Sequence, residues 1–513
     1  MLVIGGLGGC VVLDRTQSAV ARPEDIPPPA PREFRAAWVA TVANIDWPSR
    51  PGLPVAQQRA EMTAILDRAR ALNLNAIILQ VRPAADALYA SRYEPWSEYL
   101  TGAQGREPKP YYDPLKEWIV EAHWRGLELH AWFNPYRAKH PSAKSGLAPT
   151  HFAEIHSDAV KTYGDLLWID PGEPAAERQT LAVIRDIVRR YDVDGIHIDD
   201  YFYPYPIKAA GAGSEDSAKL DFPDEPSWQR YVAGGGRLSR ADWRRQNVDR
   251  LVEGIGDAVY RIKPWVRFGV SPFGLGRPDQ RPPGITGFSQ YDSLYADAEL
   301  WLQRGWVDYL SPQLYWPINQ KAQAFGTLLD YWTQQSLTHR HVWPGLFTSS
   351  INDTPKSWPA SEIVNQIELV RARSAESGHV HFSMAALMQN RDGIATALQR
   401  GPYAQAALVP TSPWLDSGAP RQPALMRRRL PDGTPATSVT IGRTWWGRTV
   451  TAFAVWKRYG AQWHFSVQPV ADRIIDLSPD RELGAVEAVV VSAVGRLGNE
   501  SPRATLRVGT SAD

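Results

Sequence analysis

Residues 193–200 read VDGIHIDD and run straight into YFYP at 201–204. A short apolar run that ends in two acids and an aromatic-proline turn has the form of a buried strand emptying into a loop. Side chains alternate along a strand, so Ile196 and Ile198 share one face while Gly195, His197 and Asp199 share the other. Bulky aliphatics suit a layer of helices. The opposite face carries a histidine and a carboxylate, which a purely structural strand would not need. By the same alternation Asp200 begins the loop on the other side.

Seven further runs resemble this one. They are FRAAWVATV (34–42), NAIILQVRP (75–83), LELHAWFNP (127–135), VRFGVSPFG (266–274), VDYLSPQLYWP (307–317), HVWPGLF (341–347) and HVHFSMAAL (379–387). Between them lie stretches with apolar spacing near 3.6, such as Met62, Ile65, Leu66, Ala69 and Leu72, or Leu181, Ile184, Val188 and Tyr191. Eight alternating units predict an α/β fold, a (β/α)8 TIM barrel over residues 32–400. A doubly wound open sheet would show a glycine-rich phosphate turn after an early strand, and none is present.

Residues 401–430 are Pro-rich and aperiodic, as a linker would be. Residues 431–513 alternate with period two in TSVTIG, TVTAFAVWKRY, QWHFSVQP and AVEAVVVSAVGRLGNESP, which predicts a small all-β sandwich. The last segment resembles the closing strands of a fibronectin type III domain.

Charge narrows the partners. With 56 basic and 55 acidic residues and no long run of lysine or arginine, nothing suggests nucleic acid. The chain has 21 Trp, 20 Tyr and 13 Phe, many beside Pro, Gly or Asn. Flat aromatic faces are what the apolar faces of sugar rings stack on. One cysteine, Cys10, excludes an intramolecular disulfide and a zinc-thiolate cluster. It closes MLVIGGLGGC, which resembles the lipobox of a bacterial lipoprotein signal peptide. Residues 1–10 are therefore expected to be a signal remnant lipidated at Cys10, and residues 11–31 a tether. No later stretch approaches the roughly 20 apolar residues that span a bilayer.

Sorting the strands by alternation puts polar groups on most inner faces: Gln80 and Arg82; His130, Trp132 and Asn134; Arg267, Gly269 and Ser271; Ser311, Gln313 and Tyr315; His379, His381 and Ser383. A hydrogen-bonding pocket at the C-terminal mouth is implied. His197 with Asp199, or His379 with His381, has the ligand types for a metal, but the HxH pair that metal-dependent amidohydrolase barrels place after their first strand is missing from VATVANIDWP. No GxSxG elbow is present either. Carboxylate chemistry fits better, with no metal and no cofactor. Asp199 is the first candidate. Strands five to eight end without an acid, so a partner must come from a loop: Glu94 or Glu98 in RYEPWSEYLTG, Asp46 in NIDWP, or Asp292. Glu94 leads, because its aromatic setting would desolvate it.

Taken together, FRAAWVATVANIDWPS, ILQVRPAADALYAS with EPWSEYLTG, LHAWFNPYR, VDGIHIDDYFYP, FGVSPFG and WVDYLSPQLYWP resemble the bacterial glycosyl-hydrolase-like family 10 over about residues 32–400. The family includes a divisome-localised lipoprotein hydrolase. The resemblance implies a (β/α)8 barrel and an envelope enzyme acting on glycan strands, most specifically peptidoglycan glycans stripped of stem peptides. It does not carry over the two glutamates of true family 10 xylanases, since the fourth and seventh strands end in HIDDYFYP and WPGLF.

The expectation is an envelope-anchored glycoside hydrolase, facing the periplasm from the outer membrane, with a polysaccharide substrate and a division or cell-wall protein as partner. Asp199, Glu94 and Asp200 are the catalytic candidates. Arg82, Asn134, His197, Gln313, Tyr315 and Tyr201 are candidates to orient the sugar, and Trp47, Trp96, Trp132 and Trp316 to stack on it. A glycan-binding scaffold without catalysis, and a metal-dependent deacetylase or amidase, remain the alternatives.

Overall fold

Eight parallel strands build the larger unit: Glu33–Val39, Ala76–Arg82, Glu128–Phe133, Gly195–Ile198, Arg267–Val270, Tyr309–Leu310, the two pieces His341–Val342 and Gly345–Leu346, and Ser377–His381. Each is paired in parallel with the next, and the eighth is paired with the first. The seventh strand closes the ring. On one side Trp343 N donates to Leu310 O (2.8 Å) and Gly345 N to Pro312 O (2.9 Å); on the other Val380 N donates to Pro344 O (3.0 Å) and Phe382 N to Leu346 O (2.9 Å). Pro344 has no N–H to offer the eighth strand, which is why this strand falls into two pieces. The result is the expected (β/α)8 barrel.

The described residues of this computed structural model are 13–15, 26–208, 219–374, 377–430, 434–442 and 449–508. The chain divides into one unit of residues 32–404 and another that joins residues 1–31 to 405–513. Cys10, and with it the lipobox reading, lies outside the described residues.

Helices such as Val55–Ala71, Pro114–Trp124, Pro174–Arg190 and Arg240–Ile262 form the outer layer. Pro114 and Pro174 stand at first helical positions, where a missing N–H costs nothing. Their buried faces, including Leu66, Trp118, Ile184 and Leu251, share one core with the outward Ile196 and Ile198. Side chains fill the interior, and glycines make room for large neighbours. A Cβ on Gly195 would sit 2.3 Å from the His130 ring, and one on Gly269 would sit 2.0 Å from the Tyr309 ring.

The eighth strand departs from its sequence reading. His379 and His381 both meet the Tyr403 hydroxyl in the outer layer, while Phe382 lines the barrel mouth. The rule that bulky apolar residues face the helices fails here because this barrel fills its interior with aromatics. Phe34 stacks on Trp343 (4.1 Å) and packs near Tyr309 (6.0 Å), so the inner positions of the eighth strand are Gly378, Val380 and Phe382.

The second unit holds two four-stranded antiparallel sheets. One runs 13–15, Leu425–Arg429, Pro435–Ile441, Ile474–Asp476; the other runs Gln462–Pro469, Val450–Tyr459, Ala488–Gly495, Ala504–Arg507. Val439, Phe453, Val455, Ile475, Val489 and Val491 fill the space between them. Leu425–Arg429, at the end of the stretch read as a linker, is thus already a strand.

Candidate active site

The fourth strand ends at Ile198, and the chain bends at Asp200. That bend turns Asp200 back, so both aspartates line one cavity of about 300 Å³ at the C-terminal mouth. Alternation alone had sent Asp200 to the opposite side. Each aspartate is only 3 % exposed. Trp132 Nε1 donates to Asp199 Oδ2 (3.0 Å), and Asn134 Nδ2 lies 3.3 and 3.2 Å from its two oxygens. Burial still dominates, and with the adjacent Asp200 charge it pushes Asp199 up to about 7 against the pull of Arg137 and these donors. Asp200 accepts from the Tyr205 hydroxyl; burial raises it too, opposed by Tyr205 and Gln313. Two carboxyls that resist ionisation, side by side in a desolvated site, are equipped to hold a proton near neutrality.

A hydrogen-bonded chain lies beneath the pair. Trp38 Nε1 can only donate, and it donates to His197 Nε2 (3.2 Å), which places the His197 proton on Nδ1. His197 Nδ1 then donates to the Tyr309 oxygen (3.0 Å), and the Tyr309 hydroxyl donates to His130 Nδ1 (2.9 Å). His130 Nε2 donates onward to Glu128 Oε2 (3.1 Å), a carboxylate that also pairs with Arg267 (3.0 Å). Burial and the nearby His130 hold His197 well below the usual imidazole range. With Ser271 Oγ also 3.1 Å from Nε2, His197 has no nitrogen left for a sugar. It supports the floor rather than orienting substrate, which corrects its sequence assignment.

The wall above the third strand comes from an insert of three antiparallel strands, Arg137–Lys139, Val160–Tyr163 and Leu166–Ile169. It carries Arg137, which sequence reasoning passed over. Arg137 is 3 % exposed, lines the cavity, and stacks its guanidinium 4.2 Å over the Tyr201 ring. Among the described residues its Nε has no hydrogen-bond partner. Its charge opposes the rise of both aspartates. His140, from the same insert, is lowered to about 4 by burial and by Arg137, so it stands neutral in the cavity. Tyr205 was missed as well. The signal available for both was proximity to motif residues, FNPYR and DDYFYPY, rather than strand alternation.

The other predicted residues separate into two groups. Tyr201, Gln313, Tyr315 and Trp132 line the cavity, and Asn134 meets it through Asp199. Gln313 Nε2 is fixed by Ser271 O (3.0 Å), and Tyr315 stacks on Phe347 (4.8 Å).

Arg82 and Glu94 do not join them. A β-bulge between Gln80 and Arg82 brings Arg82 into register with the outward Phe133, and Arg82 grips Glu94 in a forked ion pair (2.7 to 3.0 Å) with side chains fully buried. Gln179, on the helix Pro174–Arg190, also reaches Glu94 (3.3 Å). Glu94 is therefore a structural anion behind the third strand and is not brought to Asp199.

Trp47 is core, T-shaped against Trp118 (5.3 Å) with Nε1 on Gln58 O (3.0 Å). Trp96 packs edge-on to Tyr111 and Trp316 edge-on to Phe273; neither lines the cavity. The reserve acids are also committed. Asp46 accepts from Ala40 N, Ser383 Oγ and Ala385 N, Glu98 from Lys144 N and Ser145 N, and Asp292 from the hydroxyl of Ser289, the N-cap of its short helix. Among the described residues no group of three metal-ligating side chains converges.

A match to the family described as Glycosyl hydrolase-like 10 covers residues 33–360. The chain belongs to this family. It is 43 % identical over 406 residues to Glycosyl hydrolase YngK of Bacillus subtilis, covering 77 % of each chain. It is 32 % identical over 399 residues to Glycosyl hydrolase DigH of Escherichia coli K12, covering 71 % of this chain and 87 % of that one. Among solved structures, the glycoside hydrolase domain of PgaB from Bordetella bronchiseptica aligns with a TM-score of 0.43 at 12 % identity, covering 72 % of this chain and 98 % of that one. As a member of the glycosyl-hydrolase-like 10 family, the protein is a glycoside hydrolase with a polysaccharide substrate.

Proposed function

We propose that this glycoside hydrolase cuts the glycan strands of peptidoglycan, those lacking stem peptides, with Asp199 and Asp200 as its catalytic carboxyls. The observation that carries the carboxyl assignment is the pair itself: two buried acids turned into a cavity walled by Trp38, Trp132, Tyr315 and Phe347. Stacking surfaces beside paired carboxyls suit a pyranose, whose faces are apolar and whose edges are polar. The substrate reading rests on the family resemblance of the strand-end motifs. In this reading Arg137 and Gln313 hold the charged pair in place, and Trp132 serves both as a wall and as a donor to Asp199.

Lipidation at Cys10 would tether the enzyme at the periplasmic face of the outer membrane, close to that polymer. The strand order of the two C-terminal sheets supports a fibronectin type III-like module, with a role in holding a partner or the cell wall rather than in chemistry.

The test uses purified glycan strands with and without stem peptides. Wild-type enzyme is expected to cut the denuded strands, with and without chelator, and D199N to lose the activity. Cutting by D199N at the wild-type rate would remove the catalytic assignment. Incorporation of labelled fatty acid into wild type but not C10A tests the anchor.

A further inference from the structure

Two adjacent carboxyls pose a geometric problem. A retaining glycosidase of the usual kind needs its nucleophile and its acid on opposite faces of the anomeric carbon, about 5 Å apart; an inverting one needs about 6.5 Å or more, with a water between. Asp199 and Asp200 leave one strand end, in one wall. Across the cavity the described lining is Trp38, Tyr315, Phe347 and Phe382, with no acid. The nearby alternatives Glu94, Asp46 and Glu98 are bound to Arg82 or to structural donors, as described above. No described side chain across the cavity offers a carboxylate nucleophile, and a hexosamine carries a nucleophile in its own 2-acetamido group.

We propose that this enzyme uses substrate-assisted catalysis: the acetamido carbonyl of an N-acetylhexosamine attacks the anomeric carbon, Asp200 protonates the leaving oxygen, and carboxylate Asp199 receives the acetamido N–H. This rests on the glycan reading above and names the sugar that reading requires at the cleaved bond. The roles follow from the partners. Trp132 Nε1 and Asn134 Nδ2 can only donate, so they favour Asp199 as an anion, whereas the Tyr205 hydroxyl and the Gln313 amide beside Asp200 can each both donate and accept and tolerate either state. Arg137 supplies one positive charge to the two acids. One shared proton therefore leaves the buried group electrically balanced.

The balance of the reaction closes. As the carbonyl oxygen bonds to C1, the C1–O bond to the leaving sugar breaks, its electron pair stays on the leaving oxygen, and that oxygen takes the Asp200 proton. The positive charge of the cyclic oxazolinium ion faces Asp199. Water then adds to C1, Asp200 accepts its proton, and the ring opens to restore the amide. The product keeps the anomeric configuration of the substrate.

The experiment compares three forms of one preparation of denuded strands: fully N-acetylated, de-N-acetylated, and re-acylated with trifluoroacetyl groups. The expected results are cutting of the first, none of the second, and cutting of the third slowed by about tenfold or more, with retained configuration in the first-formed product. Binding of all three forms to D200N separates recognition from chemistry. Equal rates on the acetyl and trifluoroacetyl strands, an inverted product, or a glycosyl–carboxyl ester trapped on the protein would overturn the proposal. N-acetylated chito-oligosaccharides are run in parallel. Cutting of these but not of peptidoglycan strands, with the same acyl dependence, would sustain this proposal while removing the peptidoglycan reading.

Discussion

Replacing Trp132 by Phe keeps a ring in the wall and removes one hydrogen bond, the Nε1–H to Asp199 Oδ2 at 3.0 Å. A hydrogen bond to a charged group contributes about 1.5–3 kcal/mol. A shift of one pKa unit corresponds to about 1.4 kcal/mol. Losing the donor therefore raises Asp199, already at about 7, by roughly one to two further units. The sign is fixed, because the donor stabilises only the ionised form. If Asp199 must be ionised to face the acetamido N–H, the acid limb of the kcat/KM profile moves to higher pH by that amount. The two carboxyls are coupled, so the limbs report the pair. The assay is kcat/KM on N-acetylated strands across the pH range for wild type and W132F. A stationary acid limb with a basic limb moved upward would show that Asp199 is the proton donor and would refute the division of roles.

Three further outcomes follow from the geometry. Asp199 stands at about 7 in the fold against 3.8 when exposed, so the folded state holds its proton more tightly, and the group costs stability as pH rises from about 4 through 7. D199N should remove that cost, worth up to about 4 kcal/mol at pH 8, and flatten the thermal-melt profile in that window; an unchanged profile would show that Asp199 is not desolvated. E94Q leaves Arg82 buried without its anion and should cost about 3–5 kcal/mol of unfolding free energy, while kcat at a temperature where the variant is folded stays near wild type; a collapse of kcat alone would return Glu94 to the site. Y309F strands His197 Nδ1–H and His130 Nδ1, which should cost about 2–6 kcal/mol in denaturant melts, each buried group contributing about 1–3.

The barrel was legible because eight strands repeat one pattern, and Asp199 because alternation in GIHID is undisturbed. The misses have local causes. A bulge after Gln80 re-aimed Arg82, and no sequence feature marks that bulge. A bend returned Asp200 to the cavity. Aromatics filled the interior, and so the eighth strand read inside out, with His379 and His381 assigned to a pocket that Phe382 in fact lines. Trp47 and Trp132 were indistinguishable by composition; one lies against Trp118, the other donates to Asp199. Arg137 was hidden because it belongs to an insert, where strand periodicity says nothing about direction.

The floor beneath the site limits where a catalytic proton can come from. Trp38 cannot accept, so its bond to His197 Nε2 sets the direction of every bond from there to Glu128. Reversing that chain would force an N–H against an N–H at Trp38. A histidine pinned in this way, and held neutral by burial, is no shuttle to the cavity above. His140 is neutral for the same first reason, burial, with the Arg137 charge adding to it. Among the described residues of the cavity, that leaves the aspartates as the carriers of an exchangeable proton near neutrality. The pair that ends the fourth strand then serves as both the source of the leaving group's proton and its later acceptor, and because both members leave one wall of the cavity, the proposed nucleophile is the acetamido group of the sugar rather than a second carboxylate across from them.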